Sequence, residues 1–154
     1  MNYIFYDFET TGRESNWDQI IQVGAVLTNS NFQEIDRFEA RCSLRPGIIP
    51  YPQAILVNKS TVEDLTDTNL SHFSLIELML KKFKSWGIAI YIGYNTISFD
   101  EEFLRKSLFK SLYDPYLTIN NGNSAHLKNT HCMSTLLEVL HRSFPIIIVL
   151  IRSP

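Results

Sequence analysis

Apolar and β-branched residues in the first third of the chain are grouped into three runs that predict β-strands. Residues 3–8 open the chain with five aromatic or β-branched side chains, and residues 20–28 form a nearly continuous apolar run. A polar turn at residues 29–31 then leads into a third run at residues 32–44. Because these strands are joined by short connections, the pattern predicts an antiparallel three-stranded meander.

The middle of the chain changes to a helical pattern after a proline-rich segment. Residues 45–53 contain three prolines and one glycine, so this segment is predicted to be an irregular surface loop. The run Ser60-Thr61-Val62-Glu63 has the spacing of a capping box and predicts a short helix. A longer helix is predicted to begin after Ser71 and to end at Gly87. Its apolar positions at helical spacing are Phe73, Ile76, Leu80 and Phe83.

A fourth strand and a further helix follow. Residues 88–94 alternate isoleucine with other side chains and predict a strand. The spacing Ser98-x-x-Glu101 predicts the capped start of a helix that runs to about Leu112, which places Asp100 in its first turn. The order β-β-β-α-β-α therefore predicts an α/β domain with a mixed sheet.

Length and charge narrow the class of protein. A chain of 154 residues fits one domain, and its net charge of −2 gives no general basic field for nucleic acid. Cys42 and Cys132 are far apart and show no metal-ligand spacing, which favours a reducing compartment. The first residues lack the pattern of a signal peptide, and the apolar run 146–151 is too short to span a membrane. We therefore expect a soluble, cytoplasmic protein with no membrane partner.

The candidate chemistry begins at Asp7 and Glu9. Two carboxylates at positions i and i+2 of a strand lie on one face, because side chains alternate along a strand. They would repel each other unless a divalent cation lay between them, and Mg²⁺ prefers oxygen ligands of this kind. Acids at the end of a strand are, however, more often solvated or involved in capping, so the pair alone is a weak signal.

The neighbouring motifs strengthen this hypothesis. Phe8-Glu9-Thr10-Thr11-Gly12 and Gly93-Tyr94-Asn95-x-x-x-Phe99-Asp100 resemble the first two motifs of the DEDD superfamily of exonucleases. The stretches Asp100-Glu101-Glu102, Tyr113-Asp114-Pro115-Tyr116 and Asn123-Ser124 are similar to the exodeoxyribonuclease I family. The resemblance covers residues 3–124 and implies an exonuclease domain there, with a ribonuclease H-like mixed sheet flanked by helices and incomplete at its C-terminus.

The resemblance also implies an activity: removal of nucleoside monophosphates from the 3′ end of single-stranded DNA by two-metal-ion catalysis. Mg²⁺ is the implied cofactor, with Mn²⁺ as an alternative, and single-stranded DNA-binding protein is an implied partner. Asp7 would bridge both ions, Glu9 would complete the site that holds the attacking hydroxide, and Asp100 would orient the second ion. Ribonuclease T, oligoribonuclease and polymerase proofreading subunits share these first motifs and remain alternatives within the superfamily.

Four further residues are implied as substrate contacts. Thr10 would place its backbone and hydroxyl beside the terminal nucleotide, and Tyr94 or Phe99 would stack near the 3′ end. For both aromatic residues a place in the core is the commoner role, and Asn95 is more simply explained as a cap for its turn. In the loop before the first predicted helix, residues 57–60 replace the Thr-Gly-Ile type of segment that is common in the family.

The third motif of the superfamily, a histidine with an aspartate five residues later, is absent from residues 125–154. No aspartate follows Asp114, the one later acid is Glu138, and the family-like pattern ceases at Ala125. His126 and His131 are expected to be solvated histidines and not replacement bases. The sequence therefore predicts a family-unlike tail and a chain with weak or no activity, and a catalytically dead module that binds metal or nucleic-acid ends is the alternative from another class.

Overall fold

The computed structural model describes residues 1–93, 99–116 and 124–126. Its strands form one mixed five-stranded sheet in the order β3-β2-β1-β4-β5. The strands are β1 Asn2–Thr10, β2 Ile20–Thr28, β3 Glu34–Arg41, β4 Ala89–Gly93 and β5 Ser124–His126. The helices are α1 Pro52–Asn58, α2 Val62–Thr66, α3 His72–Trp86 and α4 Asp100–Lys110. The predicted α/β class with a mixed sheet is confirmed.

The first three strands form the predicted antiparallel meander. β1 pairs with β2 from Tyr3 opposite Thr28 onward, and β2 pairs with β3 along its length. The third strand is shorter than the predicted 32–44, because Phe32 has a left-handed backbone (φ 57°) that belongs to the preceding turn. At the other end the chain leaves the ladder, and Ser43 donates its N–H to the carbonyl of Leu70 at 2.9 Å.

The central strand β1 is extended on its other side by two parallel strands. β4 pairs with β1 from Asn2 opposite Ala89 to Phe5 opposite Ile92, so the last residues of β1 run beyond the end of β4. β5 pairs in parallel with the end of β4 and was not predicted. Three residues are too few for a recognisable side-chain period. β5 also crosses residue 125, where the family-like sequence pattern ceases.

Part of the predicted irregular loop is helical. α1 begins at Pro52, inside the segment 45–53 that was expected to be a surface loop. Proline favours the first turn of a helix, since its backbone nitrogen needs no hydrogen-bond partner there. The helix ends at Lys59, whose left-handed backbone (φ 52°) closes it. The prolines therefore mark the start of a helix as well as the loop before it.

The predicted capping box of α2 is displaced by one residue. Thr61, and not Ser60, is the N-cap, and its hydroxyl accepts from the N–H of Asp64 at 3.1 Å. Asp64 in turn accepts from the N–H of Thr61 at 2.8 Å. Both pairs of residues have the capping-box spacing in sequence, and Asp64 completes the reciprocal pair with its shorter side chain.

Helix α3 begins after Ser71 and ends before Gly87, as predicted. Its buried face differs slightly from the prediction, because Phe73 is 50% exposed and stacks on Tyr113 with ring centroids 6.1 Å apart. The apolar residues of α3 that are buried are Leu75, Ile76, Met79, Phe83 and Trp86.

Strand β4 and helix α4 also begin later than predicted. Ile88 is 91% exposed and lies outside β4. The N-cap of α4 is Phe99, with no side-chain capping bond, so the predicted Ser98–Glu101 capping box is wrong. The helix ends at Lys110, before Leu112 with its left-handed φ of 61°.

The hydrophobic core lies between one face of the sheet and the helices α3 and α4. Ile4, Tyr6 and Phe8 of β1 belong to it, together with Ile76 of α3 and Phe103 of α4. Because side chains alternate along a strand, Asp7 and Glu9 must project from the opposite face. Among the described residues no helix is long and apolar enough to cross a membrane.

The loop after β1 is held together by the carboxylate of Asp18. Its oxygens accept from the hydroxyl of Thr11 at 2.9 Å and from the N–H of Glu14 at 2.8 Å. The carboxylate lies directly against Gly12, where an added Cβ atom would be 2.3 Å from an oxygen of Asp18. Gly12 is therefore required for close approach and not for an unusual backbone angle.

We expect Gly12→Ala to destabilise the protein by about 1–3 kcal/mol, because the methyl group displaces Asp18 and leaves the donors of Thr11 and Glu14 without their acceptor. Chemical denaturation of the single variants and of the double variant Gly12→Ala/Asp18→Ala measures the effect. In the Asp18→Ala background the glycine substitution should cost much less, since the clash is gone. Equal costs in the two backgrounds would contradict this account of Gly12.

Candidate functional site

The site is built where β1 extends past its neighbour β4. Pairing between these strands ends with Phe5 opposite Ile92, so the backbone of Phe8 lies beyond the ladder on that side. Its N–H donates to the carboxylate of Asp100 at 3.2 Å in a buried hydrogen bond. This bond brings the first turn of α4 to the end of β1, across 92 residues of sequence.

Asp100 is the most deeply buried acid of the site. It is 2% exposed and begins α4, a helix whose first turn also contains Glu101 and Glu102. Negative charges at a helix N-terminus are favourable, because the helix dipole is positive there. Burial nevertheless raises the pKa of Asp100 well above its ordinary value, and the charges of Asp7 and Glu9 act in the same direction. Of these two charges, that of Asp7 has the larger effect on the pKa of Asp100.

Asp7 is half-buried and lies between the buried residues Tyr6 and Phe8 of β1. Its partner on β2 is Gly24, so no cross-strand side chain covers the carboxylate on that side. Burial raises the pKa of Asp7 to about 6, and the backbone N–H of Phe8 opposes the shift. No ion pair of Asp7 with a basic side chain is present in the part of the chain that the structure describes. The carboxylate is therefore buried without a compensating positive charge.

Glu9 belongs to a polar row that crosses three strands. It lies opposite Gln22 of β2, and Gln22 lies opposite Arg41 of β3. Glu9 is 8% exposed, and its pKa is raised to about 7 by burial and by the charge of Asp7, whereas the charge of Arg41 lowers it. Arg41 is itself paired with Asp64 at 3.3 Å. The guanidinium therefore offsets only part of the cost of charging Glu9.

The three predicted acids meet in one region but do not form a finished metal site. Asp7 and Glu9 share a face of β1, and Asp100 reaches the same region from α4. Within residues 1–93, 99–116 and 124–126, no group of three or more histidine, cysteine, aspartate and glutamate side chains is arranged to hold a metal ion. Repulsion between like charges on buried carboxylates works against their close approach.

Thr10 lies next to the acids, but its hydroxyl is used within the loop. The hydroxyl donates to the carbonyl of Gly12 at 2.6 Å, and the side chain is 5% exposed. Its carbonyl accepts from the side-chain amide of Asn58 at 2.9 Å. Both polar groups that were expected to lie beside a terminal nucleotide therefore have partners within the protein.

The remaining predicted substrate contacts are aromatic or amide side chains near α4. Phe99 is partly buried against the core, and its ring lies 4.9 Å from that of Phe103, measured between centroids. This packing agrees with the commoner structural role of such a residue. Tyr94 and Asn95 lie outside the described residues.

Sequence reasoning missed the residues that support the site from α1. Asn58 is 7% exposed, and its side-chain amide donates to the carbonyl of Thr10. The N–H of Tyr51 donates to the carbonyl of Thr11 at 2.7 Å. Arg41, whose charge lowers the pKa of Glu9, was also missed. Pairing β1, β2 and β3 in register would have found Arg41, because it follows from the row Glu9, Gln22, Arg41. Nothing local in the sequence marks Asn58, since its partner is 48 residues away.

Comparison with known proteins places these observations in a family. The family model described as "Exonuclease" (RNase_T) matches residues 4–136. Exodeoxyribonuclease I of Buchnera aphidicola from Acyrthosiphon pisum is 29% identical over 129 residues, which are 80% of this chain and 30% of the relative. Exodeoxyribonuclease I of Escherichia coli K12 is 28% identical over 115 residues, 74% of this chain and 24% of the relative. The chain thus spans less than a third of the length of these relatives.

A different relative and the solved structures agree with this result. The PolC-type DNA polymerase III of Staphylococcus haemolyticus is 33% identical over 103 residues, 66% of this chain but 6% of the relative. The crystal structure of E. coli exonuclease I with a dT13 oligonucleotide has a TM-score of 0.70 at 25% identity, covering 80% of this chain and 27% of that one. The structure of an ExoI/SSB-Ct complex has a TM-score of 0.72 at 23% identity, covering 82% of this chain and 28% of that one.

These comparisons confirm two predictions made from the sequence. The resemblance of the motifs around Asp7 and Asp100 to the exodeoxyribonuclease I family is confirmed by the relatives, and the ribonuclease H-like fold is confirmed by the structural similarity. The family match also extends past residue 124, as β5 does. The family model matches most of the length of this chain, and the chain therefore belongs to the exonuclease family.

Proposed function

We propose that this chain supplies the acidic half of a metal-dependent active site that removes nucleotides from the 3′ end of single-stranded DNA. The observation that carries the proposal is the buried bond between the N–H of Phe8 and the carboxylate of Asp100. It holds an acid of α4 beside the two acids at the end of β1. A fold that needed only stability would not gather three carboxylates whose pKa values are all raised by burial.

The donor set fits a hard divalent cation. Asp7, Glu9 and Asp100 offer carboxylate oxygens, which Mg²⁺ and Mn²⁺ prefer as ligands. Burial raises the pKa of each of these acids, and repulsion from neighbouring carboxylates adds to the shift of Glu9 and Asp100. A divalent cation would reverse these shifts by favouring the ionised forms. Since no complete ligand group exists among the described residues, we propose that binding draws the three side chains together.

Within this proposal each acid has a distinct role. Asp7, at the centre, would contact both metal positions, Glu9 would serve the position on the β2 side, and Asp100 would serve the position on the α4 side. When bound, Mg²⁺ supplies activation of water and stabilisation of the leaving oxygen. The protein's part is to keep the three carboxylates ionised and oriented, with Arg41 limiting the cost of charging Glu9.

The proposed substrate is the 3′ end of single-stranded DNA. Its support is the similarity to exodeoxyribonuclease I and to a solved exonuclease I with a bound dT13 oligonucleotide. The candidate substrate contacts are still Thr10, Tyr94, Asn95 and Phe99. Thr10 would contact the substrate only if its hydroxyl or its carbonyl gave up its present partner in the protein. A single-stranded DNA-binding protein is a proposed partner, because one structural neighbour is a complex with an SSB C-terminal segment.

A second candidate function is a catalytically dead module that binds metal or nucleic-acid ends. The observation that favours it is the sequence of residues 125–154, which contains no aspartate and no histidine with an acid five residues later. Both candidates use Asp7 and its neighbours to bind metal. They differ in whether a phosphodiester bond is cut, so a metal-binding assay and a cleavage assay together separate them.

We expect the chain to bind Mn²⁺ weakly, and Asp7→Asn to abolish the binding, because Asp7 is the acid shared by both metal positions. Isothermal calorimetry on the folded proteins measures this. Glu63→Gln, which removes an exposed carboxylate in the first turn of α2, serves as the matched control and should bind as the wild type does. Identical binding by wild type and Asp7→Asn would exclude the proposed metal site.

Glu9 generates a pH-dependent prediction. Its pKa is raised from 4.5 to about 7 in the folded protein, so the folded state binds its proton more tightly than the unfolded state. The metal-free wild type should therefore lose stability relative to Glu9→Gln as the pH rises from about 4.5 to about 7. Above that range, Glu9→Gln should be more stable by roughly 1–3 kcal/mol, since one pKa unit corresponds to about 1.4 kcal/mol.

Urea denaturation of both proteins in chelator between pH 5 and 8 measures this difference. His72, whose pKa is lowered to about 4, contributes with the opposite sign below pH 6.5, but it is present in both proteins and cancels in the comparison. Added Mg²⁺ should reduce or reverse the advantage of Glu9→Gln. A difference that does not change with pH would show that burial does not oppose the charge on Glu9.

We expect the 154-residue chain to release few mononucleotides from 5′-labelled single-stranded DNA with Mg²⁺, because the general base of the third motif is absent from its sequence. Such a base contributes ~10²–10⁴-fold. Fusing a continuation that carries a histidine and an aspartate five residues later should restore Mg²⁺-dependent shortening from the 3′ end. Asp7→Ala in the fused chain is the control for contaminating nuclease. A fused chain that stays inactive while it binds metal would favour the dead module.

A further inference from the structure

Two cationic residues are held at the same loop, residues 11–19, Arg45 by its backbone and Lys110 by its side chain. Arg45 donates its backbone N–H to the side chain of Gln19 at 2.8 Å. The ammonium of Lys110 donates to the carbonyl of Ser15 at 3.0 Å. Lys106 lies one helical turn before Lys110 and therefore on the same face of α4. The loop thus brings positive charges from two distant parts of the chain together.

The buried histidine at the start of α3, His72, belongs to the same group as these cations. The segments before Arg45 and before His72 are held together, since the N–H of Ser43 donates to the carbonyl of Leu70 at 2.9 Å. His72 is followed by Phe73, whose ring stacks on Tyr113 just beyond the end of α4. We refer to Arg45, His72, Lys106 and Lys110 as the basic cluster.

The basic cluster contains donors that the protein leaves unused. Arg45, Lys106 and Lys110 form no ion pair in the described part of the chain. The Nε atom of Arg45 and the Nε2 atom of His72 are buried without a hydrogen-bond partner among these residues, and His72 is 4% exposed. Buried polar atoms without partners are costly, and they are usually explained by a missing ligand or water.

The electrostatics of the cluster agree with its geometry. Burial lowers the pKa of His72 to about 4, and the charges of Arg45 and Lys110 act in the same direction. Burial also lowers the pKa of Lys110, with contributions from Arg45 and Lys106, while Asp18 opposes them. Asp18 is already the acceptor for Thr11 and Glu14 within the loop. The positive charge of the cluster is thus compensated only in part, by Asp18 and by Glu102, which lies on the same face of α4 and accepts from the hydroxyl of Ser15 at 2.9 Å.

We propose that the basic cluster binds a phosphate group of the nucleic-acid strand at a position remote from the bond that is cut. A phosphate presents several oxygens at once, so it can accept from a guanidinium, two ammonium groups and an imidazole N–H together. The ten residues from Asp100 to Lys110 along α4 correspond to roughly 15 Å, which separates the cluster from the acids by a few nucleotides. Identification of the strand as the bearer of the phosphate rests on the proposed function.

The test uses the whole chain with a fluorescent single-stranded oligonucleotide in chelator, so that binding is measured without cleavage. Affinity is recorded by anisotropy over a range of salt concentrations. Each phosphate contact to a single strand contributes about 0.7 to the salt-dependence slope, so loss of this one contact in Arg45→Gln/Lys110→Gln should lower the slope by about 0.7. The control Lys81→Gln/Lys84→Gln removes the same charge from the exposed side of α3 and should leave the slope unchanged. Equal losses in both double variants would overturn the site, since they would reflect net charge alone.

A second measurement separates the strand from free phosphate. Inorganic phosphate titrated into the wild type should shift the imidazole NMR signals of His72, and unlabelled oligonucleotide should produce the same shift in competition with it. Arg45→Lys keeps the charge and should retain most of the effect, whereas Arg45→Gln should lose it. A response to inorganic phosphate but not to oligonucleotide would overturn the assignment to the strand, and no response to either would overturn the site.

These outcomes are independent of catalysis. Asp7→Asn removes a proposed metal ligand and should leave the phosphate response of His72 and the salt slope intact. If the fused chain fails to cut DNA while the cluster still binds the strand, the proposed catalytic function fails and the phosphate site stands. If cutting is observed but the cluster variants bind as the controls do, only the phosphate site fails.

Discussion

The candidate site depends on the free-energy cost of placing three carboxylates in one half-buried region without a full set of positively charged partners. Asp100 is tolerated there because the N–H of Phe8 and the start of α4 stabilise its charge, and Glu9 because Arg41 lies two strands away in the same row. Asp7 has only the backbone to oppose its burial. The site is therefore strained electrostatically in a way that a divalent cation would relieve, and the rest of the fold provides the stability that permits it.

Two oppositely charged regions are built around the same loop. Residues 11–19 connect the strand that carries Asp7 and Glu9 to the next strand, and they accept hydrogen bonds from Arg45 and Lys110 on the other side. Gly12 and Asp18 give this loop its shape. A strand of nucleic acid needs metal-binding acids at the bond that is cut and cations along its backbone.

The sequence predicted most of what depends on local pattern and little of what depends on pairing between distant segments. The strands at the start of the chain, the caps of α3 and the position of Asp100 in a first helical turn followed from periodicity and turn residues. α1 was missed because its prolines also mark a loop, and β5 because it has three residues. The donor of Asn58 could not be predicted, since its partner is 48 residues away, whereas the influence of Arg41 could have been found only from the register of the three paired strands.

The parallel pairing of β1 with β4 has a consequence for the order of events during folding. The bond from Phe8 to Asp100 closes a separation of 92 residues, and that from Asn58 to Thr10 closes one of 48, whereas the meander of β1, β2 and β3 needs only short connections. Contacts between distant residues form slowly, because chain entropy is lost before they are gained. The meander can therefore form first, with Arg41 of β3 already in the same row as Glu9, and Asp100 joins Asp7 and Glu9 only when α4 docks.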